Sequence, residues 1–171
     1  MSDERWRPIP GYEGTYEVSD LGRVRSVDRW VSRANGGQYR RRGKVLAAHP
    51  HPRAGYPLVK LKINNAVHSA TTHALVMLAF VGPRPEGLEV CHNNGDPTDN
   101  RPANLRYDTR SENRRDSVRH GTHSETRKTR CRSGHPFDEV NTIRRSDGSR
   151  DCRICRRERS RASRARLRLA G

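Results

Sequence analysis

Residues 88–113, LEVCHNNGDPTDNRPANLRYDTRSEN, decide the architecture of this chain. Leu88 to His92 read as a strand, and a polar loop rich in Asn, Asp, Gly and Pro follows. A short strand is predicted around Leu105 to Tyr107 and a helix start at Ser111. His92, Asn104 and Asn113 stand 12 and 9 residues apart across that strand, loop, strand and helix. One His or Asn in a loop ordinarily serves a turn or a local hydrogen bond. Three of them spread over one such unit call for a chemical explanation.

Working outward, Leu58 to Ile63 is the clearest strand, and the Asn64-Asn65 turn should fold it into a hairpin with Ala66-Val67-His68. Thr72 to Val81 concentrates Leu75, Val76, Leu78 and Phe80 in a short helix, with Thr72 as its cap and Gly82-Pro83 as its stop. Residues 6 to 31 alternate in brief bursts, Tyr16-Glu17-Val18 and Val24 to Val27, between Gly11, Gly14 and Gly22, as a small twisted sheet does. Arg33 to Gly43 (RANGGQYRRRG) is polar and basic and is expected to be a loop or arm. A second helix should run from Ser111 to His120, opened by Thr109 or Ser111 and closed by Gly121. The fold class is α+β. His68 and His73 read as packed or hydrogen-bonded residues.

Composition limits what such a chain can be. Leu, Ile, Val and Phe make up 28 of 171 residues, too few for one large core. Of these, 21 lie in residues 1 to 109, so the last 62 residues need another source of stability. Charge is divided in the opposite sense: net +5 in residues 1–109 and +11 in residues 110–171, within a total of +16. Such an excess suits a polyanion, most directly nucleic acid. The longest apolar run, Ala74 to Val81, excludes a membrane-spanning helix, and the first ten residues carry no apolar signal segment. An intracellular, reducing compartment is therefore expected, with the four cysteines as metal ligands or thiols.

The 88–113 unit resembles the HNH nuclease motif, in the branch of phage and intron homing endonucleases whose second and third letters are both Asn. The flanks agree: His73-Ala-Leu-Val-Met-Leu-Ala-Phe80 is similar to the helix that precedes this family's motif. Asp99-Asn100 ahead of Asn104-Leu105 loosely matches its paired asparagines, and Arg110-Ser-Glu-Asn113 the segment with the last Asn. The resemblance implies metal-dependent hydrolysis of DNA phosphodiesters, leaving 5′-phosphate and 3′-hydroxyl ends. Hydrolysis needs a base for water, and a neutral His with an ordinary pKa of about 6.5 suits cellular pH. His92 takes that role. Asn104 is the candidate to accept the proton on the other ring nitrogen and so fix the tautomer. By position Asn113 resembles the family's ligand for a divalent metal, magnesium or manganese. Where the family often has an Asp before the His, this chain has Cys91. Three explanations stay open: a buried neutral thiol, replacement of the ligand by Asp96 or Glu89, or a thiolate ligand, which would favour zinc.

Two further modules flank the motif. Trp6-Arg-Pro-Ile-Pro-Gly-Tyr-Glu-Gly14, Tyr16 to Asp20 and Gly22-Arg-Val-Arg-Ser26 resemble the nuclease-associated modular DNA-binding motif that commonly precedes HNH domains. Arg23 and Arg25 share one strand face and can meet phosphates or a groove, or they belong to an ordinary solvated face. At the other end Cys131-x3-His135 and Cys152-x2-Cys155 are two close ligand pairs with 16 residues between them, the spacing of a tetrahedral zinc site. A structural zinc would supply the stability that the aliphatics do not. Seven arginines occupy residues 156 to 168, a segment expected to become helical on DNA or to stay a flexible arm.

The chain thus reads as a DNA-binding module (1–50), an HNH nuclease domain with its ββα-metal motif (51–122), a zinc-binding module (123–158) and a basic tail (159–171). Candidate DNA contacts are Arg23, Arg25, Arg40, Arg41, Arg42, Arg114, Arg115, Arg156 and Arg157. The expected partner is double-stranded DNA and the expected state a monomer, in a bacterial cytoplasm if phage-encoded. The rival readings are a DNA-binding protein that kept this fold and lost cleavage, for which Cys91 is the reason, and a nuclease accessory to phage DNA packaging. RNA is the lesser candidate.

Overall fold

The strand expected at 58–63 is present, one residue longer, as Pro57–Ile63 in a computed structural model that describes residues 3–52, 55–64 and 66–169. The chain forms two compact units, Met1–Arg110 and Ser111–Gly171.

In the first unit β1 (Trp6–Pro8), β2 (Tyr16–Ser19) and β3 (Val24–Ser26) pair antiparallel in the order of the chain. Alternation decides their faces: Tyr16, Val18 and Val24 are buried, while Glu17 and Arg25 lie opposite each other on the other face. The 33–43 segment, expected to be a loop or arm, contains β5 (Gln38–Arg41), which pairs with β4 (Arg29–Ser32) just before it in a two-stranded ribbon, a sheet of their own, and the chain returns through β6 (Lys44–Val45) to the edge of β3. The turn at Gly36, with φ +81, closes the ribbon, and Arg33 N–H donates to the Gly37 carbonyl at 2.7 Å.

A second sheet orders β7 (His49–Pro50), β8 (Pro57–Ile63) and β9 (Ala66–Thr71). The predicted hairpin is the β8–β9 pair, with Leu58 opposite Thr71 and Ile63 opposite Ala66. Asn64 takes a left-handed φ of 48°, and Asn65 lies outside the described residues. Helix α1 (Thr72–Phe80) follows at once. Thr71, not Thr72, holds its cap position, with extended backbone and no side-chain cap bond. Thr72 is spent elsewhere, its hydroxyl donating to the Pro57 carbonyl at 3.3 Å. One core joins the two sheets and α1: Ile9, Val18, Val59, Leu61, Val76 and Met77 are each at most 1% exposed. The Tyr16 hydroxyl stitches the sheets together at Lys62, accepting its N–H at 3.0 Å and donating to its carbonyl at 3.3 Å.

Against this core stands the antiparallel pair β10 (Leu88–His92) and β11 (Leu105–Thr109), with His92 opposite Leu105. A single 3-10 turn, Pro102–Asn104, leads into β11. Helix α2 (Arg110–Arg119) continues directly from β11 and closes at Gly121, φ +67.

The second unit holds nearly all of α2, a short α3 (Ser124–Arg127), the hairpin β12 (Thr142–Arg144) with β13 (Arg150–Cys152), and α4 (Arg153–Leu169). The hairpin tip packs on α2: a Cβ at Gly148 would lie 2.9 Å from Val118 Cγ1. The basic segment, expected to be helical on DNA or a flexible arm, is helical to Leu169. Among the described residues no helix is long and apolar enough to cross a membrane.

Candidate active site and metal centre

His92 ends β10 opposite a core leucine, which draws its ring inward and leaves it 7% exposed. Its Nε2 lies 3.1 Å from Asn100 Oδ1. The Asn100 side chain, 3% exposed, is fixed by its own amide N–H, which donates to the Thr98 carbonyl at 3.2 Å. The oxygen of Asn100 therefore faces the ring, Nε2 carries the proton, and Nδ1 keeps its lone pair.

Sequence reasoning gave this ring contact to Asn104, and here the structure differs. Asn104 folds the loop instead. Its amide donates to the Asp99 carbonyl at 2.8 Å and to Asn94 Oδ1 at 3.0 Å, and its oxygen accepts the Asn94 N–H at 3.1 Å. It sits in the 3-10 turn one residue before β11, pointed into the 94–99 loop, while Asn100 stands on the other limb of that loop. The paired-Asn pattern at 99–100 was the signal available for the true partner.

Two further rings surround His92. Tyr56 lies nearly parallel to it, at 5.8 Å between centroids, and His73 of α1 meets it edge-on at 5.3 Å. Tyr56 and His73 meet each other edge-on at 4.8 Å. Burial, helped by nearby His92, lowers the pKa of His73 to about 4, so it is neutral at cellular pH. Its Nε2 is 3.0 Å from the Thr71 hydroxyl. His73 is thus a packed histidine, as expected, but packed against the candidate base.

Cys91 is 1% exposed, with its sulfur 3.9 Å from the Glu89 carbonyl oxygen. Among the carboxylates of this loop, Asp99 is held to about 2 by hydrogen bonds from Arg101 and is engaged by that guanidinium at 2.7 Å. Asp96 is exposed and ionised, its pKa lowered by hydrogen bonds from Thr98 and, less, by His92. Asn113 is half-buried on α2 in the second unit, where its carbonyl accepts the Ser117 hydroxyl at 3.0 Å.

In the second unit the sulfurs of Cys131, Cys152 and Cys155 and Nδ1 of His135 all lie within 4.8 Å of one another. Nδ1 is 3.3, 3.6 and 3.7 Å from Cys155, Cys131 and Cys152, and Cys131 is 3.7 Å from Cys155. A tetrahedral zinc with ordinary bond lengths spaces its ligands about 3.5 to 3.8 Å apart, so the donor set fits that ion. Burial raises the Cys152 thiol, but hydrogen bonds from the Cys155 N–H and the Asn141 amide outweigh it and bring the thiol to about 6. Asn141, 5% exposed, is a residue the sequence did not reveal. Its amide bonds Cys152 Sγ at 3.3 Å and the Pro136 carbonyl at 2.5 Å, and its oxygen accepts the Ile154 N–H at 3.0 Å, at the start of α4. No disulfide joins the four cysteines.

The candidate DNA-contacting arginines divide by engagement. Arg25 bonds Glu17 at 2.7 Å and covers Trp6 at 4.1 Å, and Arg23 bonds Glu4 at 2.8 Å. Arg40 bonds Asp28 at 2.5 Å, while Arg41 and Arg42 are exposed on the ribbon and its exit. Arg114 and Arg115 are exposed on α2, the latter bonded to Glu112, and Arg156 and Arg157 are exposed on α4.

Comparison with known proteins agrees with this geometry. Residues 4–62 match the NUMOD4 motif, and residues 70–115 match the HNH endonuclease family. DNA endonuclease I-HmuI of Bacillus phage SP01 is 33% identical over 105 residues, 61% of this chain and 52% of the relative. An uncharacterised HNH endonuclease, L247 of Acanthamoeba polyphaga mimivirus, is 35% identical over 116 residues, 64% of this chain and 25% of that protein. The chain therefore spans about half the first relative and a quarter of the second. The solved structure of the HNH homing endonuclease I-HmuI, described as DNA binding and cleavage by that enzyme, superposes with a TM-score of 0.56 at 31% identity, over 70% of this chain and 61% of that one.

Proposed function

We propose, from the premise that the chain carries a NUMOD4 motif ahead of an HNH endonuclease motif, that it is a metal-dependent DNA endonuclease with His92 as general base. The observation that carries this reading is the buried His92 ring with Nε2 tied to Asn100 Oδ1. Held so, Nδ1 takes a proton from water as the water oxygen bonds to phosphorus. The bond from phosphorus to the 3′-oxygen breaks, and that oxygen takes a proton from solvent, leaving 5′-phosphate and 3′-hydroxyl ends. Magnesium or manganese, when bound, supplies positive charge to the phosphoryl and leaving oxygens. Oxygen donors in the first unit that would suit those ions are Asp96 and Glu89, and Asn113 keeps the ligand role that the family resemblance implies for it. Asn104 contributes by holding the loop that carries Asn100. Cys91, nearly inaccessible, acts as a packed neutral thiol.

Cys131, His135, Cys152 and Cys155 hold a structural zinc, since four protein donors close its shell. Double-stranded DNA is the substrate, met by the ribbon arginines Arg40, Arg41 and Arg42, by Arg23 and Arg25, and by Arg114, Arg115, Arg156 and Arg157. The protein works as a monomer in a reducing cell interior. One observation favours a second reading, a DNA binder without cleavage: the position before His92 carries a buried thiol where the resemblance calls for an acid.

Supercoiled plasmid incubated with protein in magnesium or manganese, beside His92→Ala, decides between them. Nicking that needs metal and disappears in the variant, with DNA affinity retained, establishes the enzyme. Equal binding by both proteins, with no cleavage of plasmid or of a library of randomised duplexes, establishes the binder.

A further inference from the structure

The second unit contains an open cleft that the cleavage chemistry does not use. One wall is the face of the β12–β13 hairpin that carries Ile143, Asp151 and Arg145. Ile143 and Asp151 are directly opposed and so share a face, and Arg145 follows Ile143 by two residues. The other wall is α4, where Arg156, Ser160 and Arg164 recur at every fourth residue and form one row. Between the walls lies a space of about 700 Å³, and an adjoining cleft of about 430 Å³ shares Ile143 and the whole row and extends to Arg157 and Arg161. A helix ordinarily turns its apolar stripe toward the element beside it. Here Ala162 and Ala165 fall on the far side of α4, and the row that looks at the hairpin is polar and exposed.

Charge in the cleft is one-sided. Its hairpin acid, Asp151, is already bonded by Arg145 at 3.0 Å. The single acid of α4, Glu158, lies two residues from both Arg156 and Ser160, on the opposite side of the helix. Eight arginines occupy residues 153–169, and those four apart, such as Arg157 and Arg161, repel each other until an anion lies beside them. The two walls are joined at one end by Asn141, whose amide bonds Cys152 Sγ at 3.3 Å where β13 ends and whose oxygen accepts the Ile154 N–H at 3.0 Å where α4 begins. The cleft is therefore built before any ligand arrives.

We propose that this cleft is a binding site for a single nucleic-acid strand, with the Arg156–Ser160–Arg164 row on its phosphates and Ile143 beneath a base. The inference goes beyond the cleavage reading and rests on the second unit alone. A duplex carries its phosphates on a convex surface and stacks its bases inside, so neither enters a cleft between a helix and a hairpin. A single strand offers both: its phosphates meet guanidinium groups and serine hydroxyls, and its unstacked bases lie on the apolar Ile143 and on flat guanidinium faces. The row spans about 12 Å of helix, and the space falls within the roughly 300–1,000 Å³ of built ligand sites. Backbone contacts and stacking of this kind tolerate any base sequence.

The full chain, purified without chelator, is titrated with a fluorescein-labelled thymidine 12-mer and separately with a 30-bp duplex, with no magnesium or manganese added. Arg156→Gln with Arg164→Gln should lower affinity for the 12-mer by about tenfold and flatten its slope of log affinity against log salt by about 1.4, two phosphates at about 0.7 each. Arg166→Gln with Arg168→Gln removes the same charge outside the cleft and should lower affinity by less than about threefold. Isoleucine methyl NMR of the unaltered chain gives a reading that needs no variant. Of the four isoleucines, Ile143 should shift on addition of the 12-mer while the core residue Ile9 stays fixed. An Ile143 signal unmoved at saturating 12-mer, equal losses in the two double variants, or no binding of the 12-mer overturns the site. A duplex that moves Ile143 as far as the 12-mer does overturns the assignment to a single strand. Each of these outcomes leaves metal-dependent nicking of plasmid, and with it the endonuclease reading, untouched.

Discussion

Asn100→Ala removes the one side-chain oxygen bonded to the His92 ring, and its consequence can be worked from the structure. The bond, 3.1 Å between buried groups, fixes which ring nitrogen is protonated and which faces the water. A buried hydrogen bond is worth about 1 to 1.5 kcal/mol net, so its loss releases the productive tautomer and rotamer by about five- to thirteenfold. The exposed arginines proposed to meet DNA are untouched. Single-turnover nicking of plasmid under saturating protein should therefore slow by about tenfold while affinity stays within a factor of two. Asn104→Ala provides the contrast. It breaks three loop hydrogen bonds but no ring contact, so it should cost about 1 to 3 kcal/mol of stability and leave the rate of the folded fraction closer to the parent's. Imidazole ¹⁵N shifts of His92 add an independent reading: the proton should sit on Nε2 in the parent and in Asn104→Ala, and be divided between the nitrogens in Asn100→Ala. A parent-like single-turnover rate for Asn100→Ala, or a divided proton in the parent, refutes the assignment.

Removal of metal from the cysteine cluster should unfold the second unit selectively. A strong chelator with a thiol reagent should release one zinc per chain, and circular dichroism should lose the α4 signal while the first unit's melting transition persists. Exchange of Arg156, Arg157, Arg161 and Arg164 for Gln should reduce the slope of log affinity against log salt by about 3 to 4 if each of the four meets a phosphate, measured by anisotropy on one duplex. His73 gives the first unit a pH dependence: its folded pKa of about 4 lies below an unfolded value of about 6.5, so between these values the unfolded chain binds the extra proton. Stability is complete above about pH 6.5, falls as pH drops toward 4 by at most about 3 kcal/mol, and changes no further from this source below that. Urea unfolding at pH 7, 5.5 and 4.5 should show this fall, and His73→Phe should flatten it.

Regular elements were legible in this sequence to the extent that a core imposed periodicity on them. β2, β3, β8 and α1 carry alternating or helical apolar positions because Val18, Val24, Val59, Leu61 and Val76 all meet in one cluster. The ribbon is not legible because every residue of β5 is exposed, so RANGGQYRRRG carries no alternation, and Asn35-Gly36 marks its turn. The sequence of α4 is ambiguous between helix and arm because its arginines announce charge, not structure. Its first turn is in fact satisfied locally, by the Asn141 backbone oxygen for the Arg153 N–H, the Asn141 side-chain oxygen for Ile154 and the Cys152 sulfur for Cys155. The change in composition near residue 109, by contrast, falls beside the division between the two units after Arg110. The exchange of Asn100 for Asn104 has a different origin. Spacing identifies which residues a loop contains, but the direction of each side chain depends on local turns, here an Asx-type bond from Thr98 to Asp96 and the 3-10 turn at 102–104.

The orientation of the His92 ring is set by more of the chain than the motif that contains it. Gly22, φ +77, lies in the turn between β2 and β3, and a Cβ there would stand 2.7 Å from Asn100 Cβ. Any other residue would strain that turn and push on the side chain that holds the His92 ring. The turn itself is rigid: Ser19 is fully buried, and its hydroxyl accepts the N–H groups of Leu21 and Arg23 at 3.3 and 3.0 Å. A close-packed interior passes such displacements on, since it has no free volume in which to absorb them. The N-terminal sheet shares its core with the β10–β11 pair, and its glycine turn forms the wall against which Asn100 is set, so the position of that sheet and the orientation of the His92 ring are fixed by the same packing.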